Sequence, residues 1–399
     1  MVSAGCSHTS PSVVPSATSS SCWRSERPGP WSSSPRSSRC SPSLASSCWR
    51  LRSASGCARQ LPAPCRSAEF PPQRPLRCVR PDDDRTASAG SGARLAAVSA
   101  LVVLGGGWVG TAVAASAAAA GEVVVVDPPL DPVLARRDRT AAAALVDLID
   151  DSGAGAVVNA CGRIAGTDDE LHDANVAFPT WLCEVLHGRG VRLVHVGSAS
   201  ELGDPGTTAP VDEDHPCRPT GAYAETKLAG TRVVRAAADA GLTAVVARVF
   251  NLAAASVPPS SPLAQWLTDL MELPPGGGRI EVWWPETVRD FVRLADAAEA
   301  LVDLSAVPDP PEVVNVCSGV GLAYGRIVDA LADRLGIEAQ IVSLDRPGIP
   351  AVIGDPTRLM RSVGRVPLMD AERLAATVLP SIASDQSGDR SEGPSDGDR

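Results

Sequence analysis

The feature that most limits the fold of this chain is a glycine turn set between two apolar runs. A run at 99–104 meets Gly105-x-Gly107-x-x-Gly110, small residues follow to 119, and a second run at 123–126 ends at Asp127. Each part suits a dinucleotide. Glycines let the turn tighten and the backbone approach a pyrophosphate, a helix N-terminus supplies unpaired N–H groups, and an acid accepts from the adenosine ribose. Asp127 stands 22 residues after Gly105 and would repel a 2′-phosphate, so NAD is expected as cofactor; Arg136 and Arg137 keep NADP open.

The same stretch carries no charge from Leu95 to Gly121, enough to cross a bilayer. Three consecutive glycines, Gly105 to Gly107, would weaken such a helix at its centre, and Glu122 followed by Val123 to Val126 restarts as a buried strand. The expectation is strand, turn and helix, with no membrane span.

Beyond this the chain alternates. Apolar runs at 156–159, 192–196 and 243–249 read as strands, and stretches near 140–150, 174–188 and 221–240 read as helices. Repeated strand and helix specify an α/β fold, a doubly wound parallel sheet covered on both faces. The expected division is a dinucleotide-binding domain over 97–250 and a smaller substrate lobe over 251–383, where Pro258, Pro259, Pro262, Pro274 and Pro275 break the regularity. Residues 1–96, rich in Ser, Pro and Arg, and the polar 384–399 read as disordered tails without a folded role. No secretory signal is read in the first of them.

Charge separates these parts. Residues 1–80 hold eleven arginines against Glu26 and Glu69, a formal +9, while the whole chain carries -10. The remainder is strongly acidic, which argues against a nucleic-acid-binding body. Seven of eleven cysteines also fall in the first 80 residues, no CxxC pair occurs, and neither a zinc site nor a disulfide framework is expected. A reducing cytoplasm is the expected location.

Lysine use points to the chemistry. The chain has one lysine, Lys227, four residues after Tyr223, one of its two tyrosines. On a helix this spacing puts both side chains on one face. A phenol must be brought about three pK units down to act as a base near neutrality, some 4 kcal/mol of differential stabilisation, and a nearby ammonium is one source of it. Ser198, just after the strand 192–196, supplies a hydroxyl for the reacting oxygen.

With these residues in place, the sequence resembles the extended short-chain dehydrogenase/reductase family, in particular its NAD-dependent sugar-nucleotide epimerase and dehydratase branch, over about 97–380. Val194 to Gly203 resembles the family's strand and serine segment, Asp212 to Tyr223 its loop into the catalytic helix, and Arg289-Asp-Phe-Val its stretch meeting a pyrophosphate. The resemblance implies catalysis by Ser198, Tyr223 and Lys227. It implies cofactor contacts from Gly105, Gly107, Gly110, Asp127, Asn175 and Lys227. Asn251, Arg289 and Arg346 would contact a nucleotide-sugar substrate, and a homodimer is compatible with it. Some positions depart from the pattern: Leu104 precedes the glycine turn, Leu202 replaces a frequent Tyr, and Ile349 stands where 4-epimerases have Asp. Ala199 and Ser200 stand where dehydratases carry Asp-Glu, so dehydration is disfavoured.

The expected activity is NAD-dependent epimerisation at a hydroxyl or keto carbon of a nucleoside-diphosphate sugar. A one-way NAD(P)H-dependent ketoreductase is the alternative, and a dinucleotide sensor without turnover is the non-enzymatic one.

Overall fold

A computed structural model describes residues 100–118, 139–344 and 348–380, and the backbone alone of two short strands, Leu51–Ser53 and Glu122–Val126. Apart from Leu51–Ser53, the stretches read as tails lie outside the described residues. So do Asp127, Arg136, Arg137 and Arg346.

In chain order the elements of the first half are β1 (Leu51–Ser53), β2 (Ala100–Leu104), α1 (Trp108–Ala117), β3 (Glu122–Val126), α2 (Arg139–Ser152), β4 (Ala156–Asn159), α3 (Asp168–His172), α4 (Phe178–Leu186), β5 (Arg192–Ser198), α5 (Ala222–Asp239) and β6 (Ala244–Val249). The second half adds β7 (Asn251–Ala253), α6 (Pro262–Met271), β8 (Gly278–Val282), β9 (Val288–Arg293), α7 (Leu294–Ala306), β10 (Val313–Val316), β11 (Gly321–Ala323), α8 (Tyr324–Leu335), β12 (Ala339–Ser343), β13 (Ala351–Val352), α9 (Thr357–Val363) and α10 (Ala371–Val378).

The main sheet runs β1-β3-β2-β4-β5-β6-β10, parallel throughout except for β1 against β3. Strands covered on both faces need no polar alternation, and Val102, Val103, Leu104, Val157 and Val158 are all fully buried. One face packs on α1 and α7 through Val113, Ala297, Leu301 and Leu304. The other packs on α2, α4 and α5 through Leu145, Leu182, Leu186 and Val234. The arrangement is Rossmann-like, as the sequence predicts.

The strand order reverses at β2, with β3 on one side and β4 on the other. Ligands of such sheets bind outside the carboxyl ends of the strands at that switch point. The glycine turn leaves β2 there.

A third core joins α6, α8 and α10 with β8 and β9, through Trp266, Leu270, Ile280, Phe291, Leu331 and Leu374. This lobe is not one continuous stretch after residue 250. The chain returns to the main sheet with α7 and β10, and again with α9, which contributes Leu359 to the first core. Strand pairing between β6 and β10 is a contact of distant residues that no local pattern announces.

The expected single helix at 174–188 is built differently: α3, then one π turn over Asp173–Ala177, then α4. Among the described residues no helix is long and apolar enough to cross a membrane.

Candidate functional site

The turn after β2 is compact. Gly105 has φ 105°, and a Cβ there would lie 3.0 Å from the backbone of Ala160 and Cys161, just beyond β4. At Gly110 a Cβ would fall 1.9 Å from the Gly105 carbonyl oxygen, so the first turn of α1 sits hard against the loop. Gly107 caps α1 without a side-chain hydrogen bond, nothing stands within 4 Å of where its Cβ would be, and the first turn carries no acid. The leading N–H groups of α1 thus have no side-chain cap from Gly107 and no acid in the first turn, an arrangement that suits a phosphate. These residues fit the pyrophosphate of a dinucleotide.

Ser198 ends β5, and Tyr223 and Lys227 stand one turn apart at the start of α5. The Tyr223 phenol lies beside the Ser198 and Ser200 side chains, and Ser200 Oγ donates to Ser198 Oγ at 2.9 Å. Burial pushes the phenol above its ordinary range, and the two serine contacts oppose it. In the protein by itself the phenol is not brought down. The ammonium is turned to the sheet instead, where Nζ donates to the Val196 carbonyl oxygen at 2.6 Å. Lys227 is 4 % exposed, and its burial pulls the ammonium pKa down while Glu201 and Cys161 oppose that.

Asn175, in the π turn, is a clamp. Its Oδ1 accepts from Arg163 N–H at 3.0 Å, and its Nδ2 donates to the Arg163 carbonyl at 2.9 Å and to Thr226 Oγ1 at 3.1 Å. The loop after β4 is thereby tied to α5. Gly162, in that loop, places its missing Cβ 3.1 Å from Asn175 Oδ1 and 3.9 Å from Lys227 Nζ.

On the lobe side, Asn251 Nδ2 donates to the Asp290 carbonyl at 2.8 Å, joining β7 to β9. Arg289 is partly buried, donates to the carbonyls of Val288 and Ile349, and lies 5.8 Å over the Tyr324 ring. Burial lowers its pKa, and Tyr324 and Asp204 pull the other way. Asp290 beside Arg289 is fully buried and accepts from Ser318 N–H and Oγ, Gly319 N–H and Gly354 N–H. Burial raises its carboxyl to about 6.

Sequence reasoning missed Glu201, Asp290 and Tyr324. For Glu201 a signal was present: Ser198-x-x-Glu201 has the spacing of a capping box, and that box forms around the short turn Ala199–Leu202.

The model of the NAD dependent epimerase/dehydratase family matches residues 101–317, more than half of the chain. The chain belongs to that family. A dTDP-6-deoxy-L-talose 4-dehydrogenase (NAD(P)(+)) of Kitasatospora kifunensis is 31 % identical over 211 residues, covering 51 % of this chain and 66 % of the relative. A UDP-glucose 4-epimerase of Streptomyces lividans is 30 % identical over 214 residues, 49 % of this chain and 62 % of the relative. The match thus takes in just under two thirds of these relatives. RMD of Pseudomonas aeruginosa, solved with NADPH, superposes with TM-score 0.58 at 22 % identity, over 71 % of this chain and 97 % of that one. Bordetella bronchiseptica WbmG, solved with NAD and UDP, gives TM-score 0.58 at 21 % identity, over 71 % and 94 %. Both likenesses are of fold.

Proposed function

We propose that this chain is an NAD-dependent oxidoreductase of a nucleoside-diphosphate sugar, acting at a hydroxyl or keto carbon and most simply as an epimerase. The observation that carries this reading is the grouping of Ser198, Tyr223 and Lys227 at the end of β5, one strand from the loop that the glycine turn abuts. A sensor would need only the glycine turn.

Gly105, Gly107 and Gly110 would hold the pyrophosphate, with Asp127 on the ribose. The dinucleotide bound there would supply hydride exchange with a substrate carbon. Tyr223 Oη would take the proton of the substrate hydroxyl and give it back on reduction, while Ser198 Oγ holds the reacting oxygen. Lys227 would add positive charge beside the phenol from a fixed position. Asn175 would act through the backbone of 161–163, since its amide is spent on Arg163 and Thr226. Arg289, from β9 of the second lobe, and Arg346 would bind the diphosphate of the substrate, and Asn251 would line the sugar.

Epimerisation needs the transient keto sugar to turn its other face before reduction; a dehydrogenase or reductase releases it. The second outcome is supported by the similarity to a 4-dehydrogenase. Ala199 and Ser200 offer no acid/base pair for eliminating water, which counts against dehydration. Purified protein that retains NAD and interconverts sugar epimers with no net change in reduced cofactor supports the epimerase. Stoichiometric cofactor consumption would replace it with the dehydrogenase or reductase.

A further inference from the structure

Glu201 has no exposed surface, and both of its carboxylate oxygens are engaged. Oε1 accepts the Ser198 N–H at 2.7 Å and Oε2 meets Arg248 Nε at 3.5 Å. Lys227 takes the Val196 carbonyl at 2.6 Å. The carboxylate and the ammonium thus grip the two consecutive peptide groups on either side of Gly197. That glycine makes the room: a Cβ at 197 would sit 2.8 Å from Glu201 Oε1 and 3.0 Å from Val246 Cγ1.

A carboxylate sealed from water is costly unless countercharges and donors surround it. Two buried cations do so, Lys227 from α5 and Arg248 from β6. The other partners of Arg248 are the Asn315 amide oxygen and the Cys217 sulfur, both at 3.4 Å, and Glu213 is occupied by Arg358 and the Asn315 N–H. His195, on β5, adds no charge, because burial first and Lys227 second hold its pKa well below the ordinary value. Tyr223 and Thr231 face the carboxylate from α5, and Ser198 and Ser200 face it or the phenol from the end of β5.

We propose that Glu201 is a positioning residue of this site: its carboxylate fixes the backbone beneath Ser198 and provides the negative charge against which Lys227 remains an ammonium inside the protein. The Lys227 pKa is drawn down by burial, and Glu201 is the foremost group opposing it. Glu201 is itself raised by burial, with Arg248 first among the groups that oppose that rise.

The test uses the sequence to advantage. Lys227 is the chain's only lysine, so full-length protein grown with isotope-labelled lysine gives one side-chain ammonium signal to follow by NMR against pH. Glu201→Gln keeps the shape and removes the charge. It should lower the Lys227 titration midpoint by about half a pH unit or more, whereas Glu201→Asp should leave it near the parent value. Turnover in Glu201→Gln should fall about tenfold or more with KM for NAD little changed. An unchanged midpoint in Glu201→Gln, or an equal shift in Glu201→Asp, overturns the proposal. If Glu201→Gln does not fold, the Glu201→Gln/Arg248→Met double variant removes the buried guanidinium together with the carboxylate, and a downward shift of Lys227, smaller than in the single variant, is expected in it. The proposal rests on Ser198, Tyr223 and Lys227 being the reacting set. Full turnover in Tyr223→Phe would remove that reading, while the ammonium signal needs no turnover and judges Glu201 separately.

Discussion

Lys227 Nζ lies 2.6 Å from the carbonyl oxygen of Val196, two residues before Ser198 on the same strand. The contact latches α5 to β5, so the spacing between the serine and the tyrosine is set by a charge-assisted bond inside the protein and not by a surface loop. Such a bond preorganises the two hydroxyls before any substrate arrives. The Tyr223 phenol, raised by burial, starts protonated and needs further positive charge to ionise.

Tyr223→Phe should therefore lower turnover by roughly 10² to 10⁴ while leaving NAD binding nearly intact. Steady-state rates, with NAD affinity from fluorescence or calorimetry, check both halves. Turnover within about threefold of the parent would exclude the phenol as the acid/base group.

Gly110→Ala puts a methyl group against the Gly105 carbonyl, 1.9 Å from the ideal Cβ position, where backbone must give way. The glycine turn should open and dinucleotide affinity should drop by about tenfold or more, since the phosphate relies on backbone placement. Gly107→Ala meets no heavy atom among the described residues and should fold normally, so any loss of affinity there reports crowding of the ligand.

Arg289→Ala or Arg346→Ala should weaken nucleotide-sugar binding about tenfold to a hundredfold, the worth of one charge-assisted contact, with NAD affinity little altered. Competition by the free nucleoside diphosphate measures this. Parent-like competition in both variants would place the diphosphate elsewhere.

Asp290 should make stability depend on pH. Its folded pKa, about 6, lies above the value of 3.8 ordinary for the group, so between those values the folded state holds the proton that the unfolded state has lost. This contribution is greatest below about pH 4 and is lost as pH rises through about 6, an effect of about 3 kcal/mol. Denaturant unfolding across that window should show the difference between parent and Asp290→Asn changing with pH. A constant difference would mean the carboxyl is not raised.

The nucleotide half was legible because strands buried on both faces are plain apolar runs and because the glycine turn needs residues that nothing else replaces. Tyr223 and Lys227 stood out through the rarity of both residue types in this chain. Glu201 did not, because an acid near a strand end reads as surface until its neighbours are known. Asn175 showed its position but not that its amide would be consumed by Arg163 and Thr226. The π turn was hidden since one extra residue hardly disturbs apolar periodicity. The return of α7 and β10 to the sheet depends on partners more than sixty residues away, as in the pairing of Val313 with Val246.

That return limits how the molecule can move. A lobe hung on one linker can swing shut over its ligand about a few hinge residues. Here the polypeptide passes between the sheet and the lobe repeatedly, through β7, α7, β10 and α9, and each passage is a separate tether. Rotation of one body against the other would have to bend all of them together. Any closure of one body on the other would be shared among these crossings, which leaves ligand access to the individual loops.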